Sequence, residues 1–410
     1  MQDLSKQAEE SMEETTKGGN VWLLAEMAVS DHHGSGVTLC RTLGRNIEGF
    51  DGIFSLSDFH EIAARLLNRS HKWMPFFRTA RCRSILGCRL SEWLVRQPCP
   101  ERWYARKCAA RIHKLLPATG AMPLFLVSPQ NCLSIRTMFE IKKLRSVKYV
   151  TWIMDDNWVS YDQQSREWHY PKHVAKLLRR HFEEAEKVVT ISQPMGEHYK
   201  RVFGVDFDVL FAPSPDPVVS PPLHFVPQRK LAYFGTLSIW PGDALTRLVP
   251  FLSELGYSLD IYSRHPLPAD LNQTCVSLMP PLSPDDVQKT MQKYDAVLLP
   301  IGFSSKTASY THFNIATKMA ECLGSGTITL AIGPEHAAMM RYLHEHNVGL
   351  RIEELNTANV SAAMEIISDP LRRQAFIVKD LEHVKRHLSQ QIVRQNWEAI
   401  RDRAMINPKY

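Results

Sequence analysis

The stretch THFNIATKMAECLGSGTITLAIG, residues 311–333, decides the reading of the fold. Its period predicts a helix from Asn314 to Leu323, with Asn314, Thr317, Lys318 and Glu321 on one stripe and Ile315, Met319, Cys322 and Leu323 on another. Gly324 ends that helix, and the apolar run TITLAI (327–332) predicts a strand covered on both faces. A helix feeding such a strand is half of a βαβ unit, which points to an α/β chain with parallel sheets. Lys318, one turn before Glu321, can hold a diphosphate on its ammonium while the carboxylate takes a ribose diol. The competing reading is an (i, i+3) ion pair on a solvated face, worth about 0.2–0.5 kcal/mol.

Outward from this stretch the same alternation runs along the whole chain. Strands are predicted at 21–29, 123–128, 147–154, 187–192 and 207–211, with helices around 57–69, 134–145, 173–186 and 193–202. The second half repeats the scheme, with strands at 230–235, 257–263, 276–279, 294–300, 327–332 and 348–352. Helices are predicted between them at 243–255, 284–293 and 335–346, and one long helical stretch runs from 370 to about 403. SPDD at 283–286 reads as a helix start with Ser283 as N-cap and Pro284 in the first turn. APSPDPVVSPPLHFVPQ (212–228) holds six prolines in 17 residues and reads as a linker. The expected organisation is an acidic disordered tail (1–20), a first Rossmann-like domain (21–211), the linker, a second domain (229–385), and a helix (386–410) crossing back to the first. Two doubly wound domains of this kind bind ligands where the carboxyl ends of their sheets face each other.

Composition closes off other classes. With 410 residues, 44% of them hydrophobic and 22% charged, the chain builds sizeable cores and exceeds one ordinary domain. The uncharged stretch Gly120 to Ile135 is too short and too polar to span a bilayer. The first 20 residues lack the apolar core of a secretory signal, so a cytoplasmic protein is expected. Eight cysteines with no C-x-x-C pair signal neither a disulfide framework nor a structural zinc. Residues 60–116 carry 13 Lys and Arg against three acids, a local charge of +10 in a chain whose net charge is +6. Trp73, Phe76, Phe77, Trp93, Trp103 and Tyr104 interleave with these cations. Such a segment, 65–114, suits an anionic membrane surface at the inner face of the plasma membrane, or equally a helical pair with a solvated basic face. A nucleic-acid partner is not expected, because no nucleic-acid motif accompanies the charge.

Two loops carry further candidates. In SDHHGSGVTLC (30–40), Gly34 and Gly36 let the backbone approach a ligand at a helix start, with His32 and His33 beside them as candidate base or acceptor contacts. The competing reading is an ordinary strand-to-helix turn. In TWIMDDNW (151–158), Asp155 and Asp156 end an apolar strand on the crevice side, where a carboxylate can take a proton from an acceptor hydroxyl. Here the alternative is an Asp capping the next turn. Two adjacent acids point in different directions, so no metal site is read from them.

T-K-x-x-E-x-x-x-x-G (317–326), the strand after it, and PEHAAMMRYLHEHNVGL (334–350) resemble the donor-binding signature of GT-B glycosyltransferases. VSAAMEIISDPLRRQAF (360–376), EKVVTISQPMGEHYKRVFG (186–204) and the loop at 34–36 are similar to other segments of that family, so the resemblance covers about half of the chain. The resemblance implies a metal-independent enzyme with a nucleotide sugar as substrate, no separate cofactor, and a glycan or lipid-linked acceptor held by the first domain. It implies that Glu321 accepts hydrogen bonds from the ribose and Lys318 neutralises the leaving diphosphate, with Asn314 and Thr317 beside them. Gly34 and Gly36 border the donor phosphate, and Gly235 and Thr236 line the donor site after the first strand of the second domain. The chain departs from the pattern twice. Phe313 stands where retaining members carry an acid, and FGTLSIWPG (234–242) lacks the usual Arg and Lys, so Arg264 or Lys306 is expected to supply phosphate charge. Asp156, Asp155 and His33 are the candidate catalytic groups. A sugar-nucleotide epimerase of the same fold and a non-catalytic binding subunit are the alternatives.

Overall fold

Short runs of Val, Ile, Leu and Phe pair side by side into two parallel sheets in a computed structural model, which describes residues 20–26, 29, 34–43, 49–56, 71–73, 98–162, 164–165, 167–215, 217, 221 and 225–406. The first sheet holds β1 (Val21–Ala25), β2 (Gly52–Ser55), β3 (His71–Trp73), β4 (Leu124–Ser128), β5 (Lys148–Ile153), β8 (Lys187–Thr190) and β9 (Phe207–Val209). Their order is β3-β2-β1-β4-β5-β8-β9. Leu23 pairs with Ile53 on one side and Leu126 on the other, which sets the register at the centre of the sheet. The second sheet runs β12-β11-β10-β13-β14-β15, from β10 (Lys230–Phe234), β11 (Ser258–Tyr262), β12 (Val276–Met279), β13 (Ala296–Pro300), β14 (Ile328–Ile332) and β15 (Leu350–Ile352). A small antiparallel hairpin, β6 (Ser160–Asp162) with β7 (Glu167–His169), stands apart. The central strands are buried on both faces, as their unbroken apolar runs require. In each sheet the strand order reverses once, between β1 and β4 and between β10 and β13, and those two switch points are where an open α/β sheet takes ligands.

Helices cover both sheets. The first domain has α1 (Gly34–Leu43), α2 (Pro98–Leu115), α3 (Leu133–Leu144), α4 (Lys172–Glu184) and α5 (Gln193–Phe203) among its described residues. The second has α6 (Ile239–Glu254), α7 (Pro284–Met291), α8 (Ala308–Phe313), α9 (Met319–Leu323), α10 (Ala338–Glu345), α11 (Thr357–Ser368) and α12 (Pro370–His383). Gly196 of α5 lies directly on β9: a Cβ there would sit 2.0 Å from the Phe207 ring. Ser283 does not cap α7 by accepting a backbone N–H; its hydroxyl donates to the Asp286 carboxylate instead.

The long C-terminal helix expected from 370 is broken. After α12 the chain makes a π-turn over Val384–Leu388 and restarts as α13 (Gln390–Ile406). That break carries it back to the first domain. Val393, Trp397, Ile400 and Ala404 join the first core, Trp397 stacks on Phe50 at 6.0 Å, and Arg403 pairs with Asp208 at 2.7 Å. The linker meets the same crossing, where the Ser214 N–H donates to the Leu388 carbonyl at 2.8 Å. The tail expected over 1–20, apart from Asn20, the helix expected near 57–69 and most of the basic segment lie outside the described residues. Trp397→Ala is expected to lower the unfolding free energy of the protein by about 3–5 kcal/mol, read by chemical denaturation; a change below about 1 kcal/mol would show that α13 is not part of the first core.

Candidate active site

The two domains meet along a hydrogen-bonded seam between the carboxyl ends of their sheets. Ser192, the N-cap of α5, donates its hydroxyl to the Phe313 carbonyl and accepts from the Met195 N–H. The Asp156 N–H donates to Asn314 Oδ1 at 3.2 Å, and the Tyr310 hydroxyl donates to Asp155 Oδ1 at 2.7 Å. The seam rewrites the helix expected over 314–323. Asn314 is extended, the Phe313 carbonyl is given to Ser192, and the helix forms only as α9 from Met319. A helix through 314 would need that carbonyl for the Thr317 N–H.

Glu321 is therefore not on a solvated face. Its side chain is 4% exposed and turned toward the first domain. There the Arg41 guanidinium, in the last turn of α1, donates to Glu321 Oε1 at 3.1 Å. Lys318, 37% exposed, stands 3.9 Å from the other carboxylate oxygen. Gly235 follows β10 at the switch point, and a Cβ there would lie 2.6 Å from the Tyr233 hydroxyl and 3.6 Å from Lys318 Cε. Only glycine leaves this backbone open beside the lysine. Gly324 has a similar reason: a Cβ would sit 2.4 Å from Ser214 Oγ. Gly235, Lys318 and Glu321 come together at the domain interface, Gly34 and Gly36 stand in the first turn of α1, and Arg41, at the other end of that helix, is the residue that local sequence pattern did not single out.

Other candidates fall elsewhere. Asp156 is 2% exposed and saturated: it accepts from Tyr170 at 2.7 Å, Tyr199 at 3.0 Å, and the backbone N–H groups of Trp158 and Val159 at 3.1 Å each. Burial pushes its carboxyl up, and the four donors pull it back. Such a group anchors a turn, and both of its oxygens are taken by these donors. Asp155 is half-buried. Asn314 is buried in the seam, Thr317 is half-buried, and Thr236 and Arg264 are exposed. Lys306 lies in the short turn Ser305–Thr307, and His32 and His33 lie outside the described residues. No group of metal-ligating side chains that could hold an ion occurs among the described residues.

Phe313, 1% exposed, is the aromatic floor of the seam. It packs against Trp168 of the hairpin at 4.8 Å, His198 at 4.6 Å and His312 at 4.8 Å. Burial, with Arg201 nearby, pulls His198 down to about 4; burial, with Arg341 nearby, does the same to His312. His181 in the first core, held by Thr151 at 2.8 Å, is pulled to about 3 by burial.

Neither a protein-family model nor a curated protein sequence matches the chain. Solved structures match over nearly its full length. TarM is 10% identical with a TM-score of 0.66, covering 95% of this chain and 99% of its own. Sucrose-phosphate synthase from Thermosynechococcus elongatus is 10% identical with a TM-score of 0.63, covering 93% of this chain and 98% of its own. Anabaena HepE in complex with UDP is 10% identical with a TM-score of 0.62, over 93% and 99% of the two chains. The chain has the GT-B fold, two Rossmann-like domains facing across a cleft.

Each of these three histidines binds its proton more weakly in the folded state than at the ordinary 6.5. The unfolded chain therefore takes up protons first, and stability fully present above about pH 6.5 is lost as the pH falls toward 4. Urea midpoints measured across that range are expected to fall, and less steeply in His198→Gln; a flat profile would contradict the buried neutral imidazoles.

Proposed function

We propose that the protein is a glycosyltransferase that moves a sugar from a nucleotide-sugar donor to a glycan or lipid-linked polysaccharide precursor at the cytoplasmic membrane surface. The observation that carries this reading is the Lys318–Glu321 pair at the domain interface, its carboxylate bonded to Arg41 of the first domain and its lysine beside Gly235. In that position the buried carboxylate accepts from a ribose diol, and the ammonium next to it stabilises charge gathering on a departing diphosphate. The GT-B neighbours solved with UDP and with UDP-glucose are consistent with a donor of this class.

Asp155 is the carboxylate of the strand-end pair with solvent access, and we assign it the contact to the acceptor hydroxyl in place of the sealed Asp156. Lipid-side binding is supported by α2. Its inner face buries Tyr104, Cys108 and Ile112, while Arg102, Arg106, Lys107, Arg111 and Lys114 are exposed around Trp103, which is 47% exposed with Lys107 Nζ 3.8 Å from its ring. Cations around an exposed indole suit an anionic headgroup layer. No helix among the described residues is long and apolar enough to cross a membrane.

Two observations favour a second reading, a nucleotide-sugar-binding subunit without turnover: Asp156 is sealed, and Phe313 stands where similar retaining enzymes carry an acid. Transfer or hydrolysis across a donor panel separates the two.

A thermal-shift screen against UDP-, GDP-, dTDP- and CMP-sugars is expected to select one donor class. Lys318→Ala and Glu321→Ala are each expected to weaken that donor about tenfold or more, the loss of one charge-assisted hydrogen bond. Unchanged binding in both variants would overturn the donor site. Flotation with anionic vesicles is expected to weaken when Arg102, Arg106 and Arg111 are reversed to Glu; insensitivity would remove the membrane contact.

A further inference from the structure

Arg41 is the one basic residue in the last turn of α1, and it is the residue through which the first domain touches the charged pair of the second. Its guanidinium lies 3.1 Å from Glu321 Oε1, and its side chain is only 17% exposed. With Lys318 3.9 Å from the other oxygen, one buried carboxylate faces two cations. Among the described residues, these three side chains carry one positive charge in excess. A surplus cation in a partly desolvated gap is costly unless an anion joins it.

The geometry also sets two ligands in competition. A ribose diol needs the oxygens of Glu321 as acceptors, and Arg41 now occupies one of them. When a diol takes that oxygen, Arg41 loses its partner but stays at the gap, because its Cα is fixed by α1. The phosphates attached to the same ribose bring the anion that the freed guanidinium requires, and a planar fork of N–H donors matches phosphate oxygens. Arg41 and Lys318 together then face Glu321 and the donor diphosphate. Without Arg41, Lys318 alone would face the same anions. Directly after β10 the second domain offers no cation, since Gly235 and Thr236 carry no charge.

We propose that Arg41 is a donor-binding residue that exchanges partners, releasing Glu321 to the ribose and taking the diphosphate, so that the first domain holds the donor's charge and the domains close on it. This inference rests on the donor site proposed above. It also makes the Arg41–Glu321 pair a guard against nucleosides, which would displace the guanidinium without giving it a new anion.

The test is calorimetric titration of the full chain with UDP and with uridine, or with the diphosphate and nucleoside of whichever base the donor screen selects. Arg41→Ala is expected to weaken the diphosphate about tenfold or more while leaving the nucleoside unchanged or tighter, so the ratio of the two affinities falls. Arg41→Lys is expected to restore part of that ratio. Arg41→Gln, which keeps the length of the side chain, is expected to give the same drop and serves if the alanine variant does not fold. A structural role would weaken both ligands together, and that result, or an unchanged ratio, overturns the proposal. If the parent protein binds no nucleoside diphosphate at all, the donor-site reading fails first and takes the role of Arg41 with it.

Discussion

The seam of Ser192, Phe313, Asn314 and Asp156 is the constraint on which the site depends. Two hydrogen bonds and one buried phenyl ring join a helix start and a strand end of the first domain to Phe313 and Asn314 of the second. Burying a phenylalanine side chain contributes roughly 1.5–3 kcal/mol, and the hydrogen bonds give that contact a direction. Because Asn314 is held extended against the other domain, α9 begins only at Met319, and Glu321 lies opposite Arg41. Had the helix run from Asn314, the carboxylate would have been carried around to another face.

This constraint also marks the limit of what a sequence pattern can say. The alternation of buried strands and amphipathic helices that makes the two doubly wound sheets is a local property, and it was legible. The start of α9 was not, since it depends on the Phe313 carbonyl finding Ser192 across 121 residues. The sealing of Asp156 was equally hidden. Its donors Tyr170 and Tyr199 stand 14 and 43 residues away, and nothing in the spacing of a DD pair reveals them. Arg41 pairs with a residue 280 positions later. In each case a polar group chose its partner through tertiary packing, where periodicity carries no information.

The sealed aspartate and the aromatic floor divide the labour of the cleft. One end is rigid, built from Trp168, Phe313, His198 and the fully hydrogen-bonded Asp156, and it fixes how the domains abut. The other end, around Gly235, Lys318, Glu321 and Arg41, is held by a single interdomain ion pair. Packed aromatic contacts resist rearrangement, so adaptation to a ligand is concentrated at the charged end.

The return of α13 to the first core has a consequence for biogenesis. A ribosome releases the amino-terminal sheet long before Trp397 and Ile400 exist, so that sheet waits with one flank uncovered while everything after it is translated. The second domain, contiguous in the chain from β10 to α12, can mature during that interval, and the lobe begun first is the one finished last. Chains truncated by even a few turns at their carboxyl end would therefore expose the older half of the molecule to proteolysis and chaperones, sparing the younger.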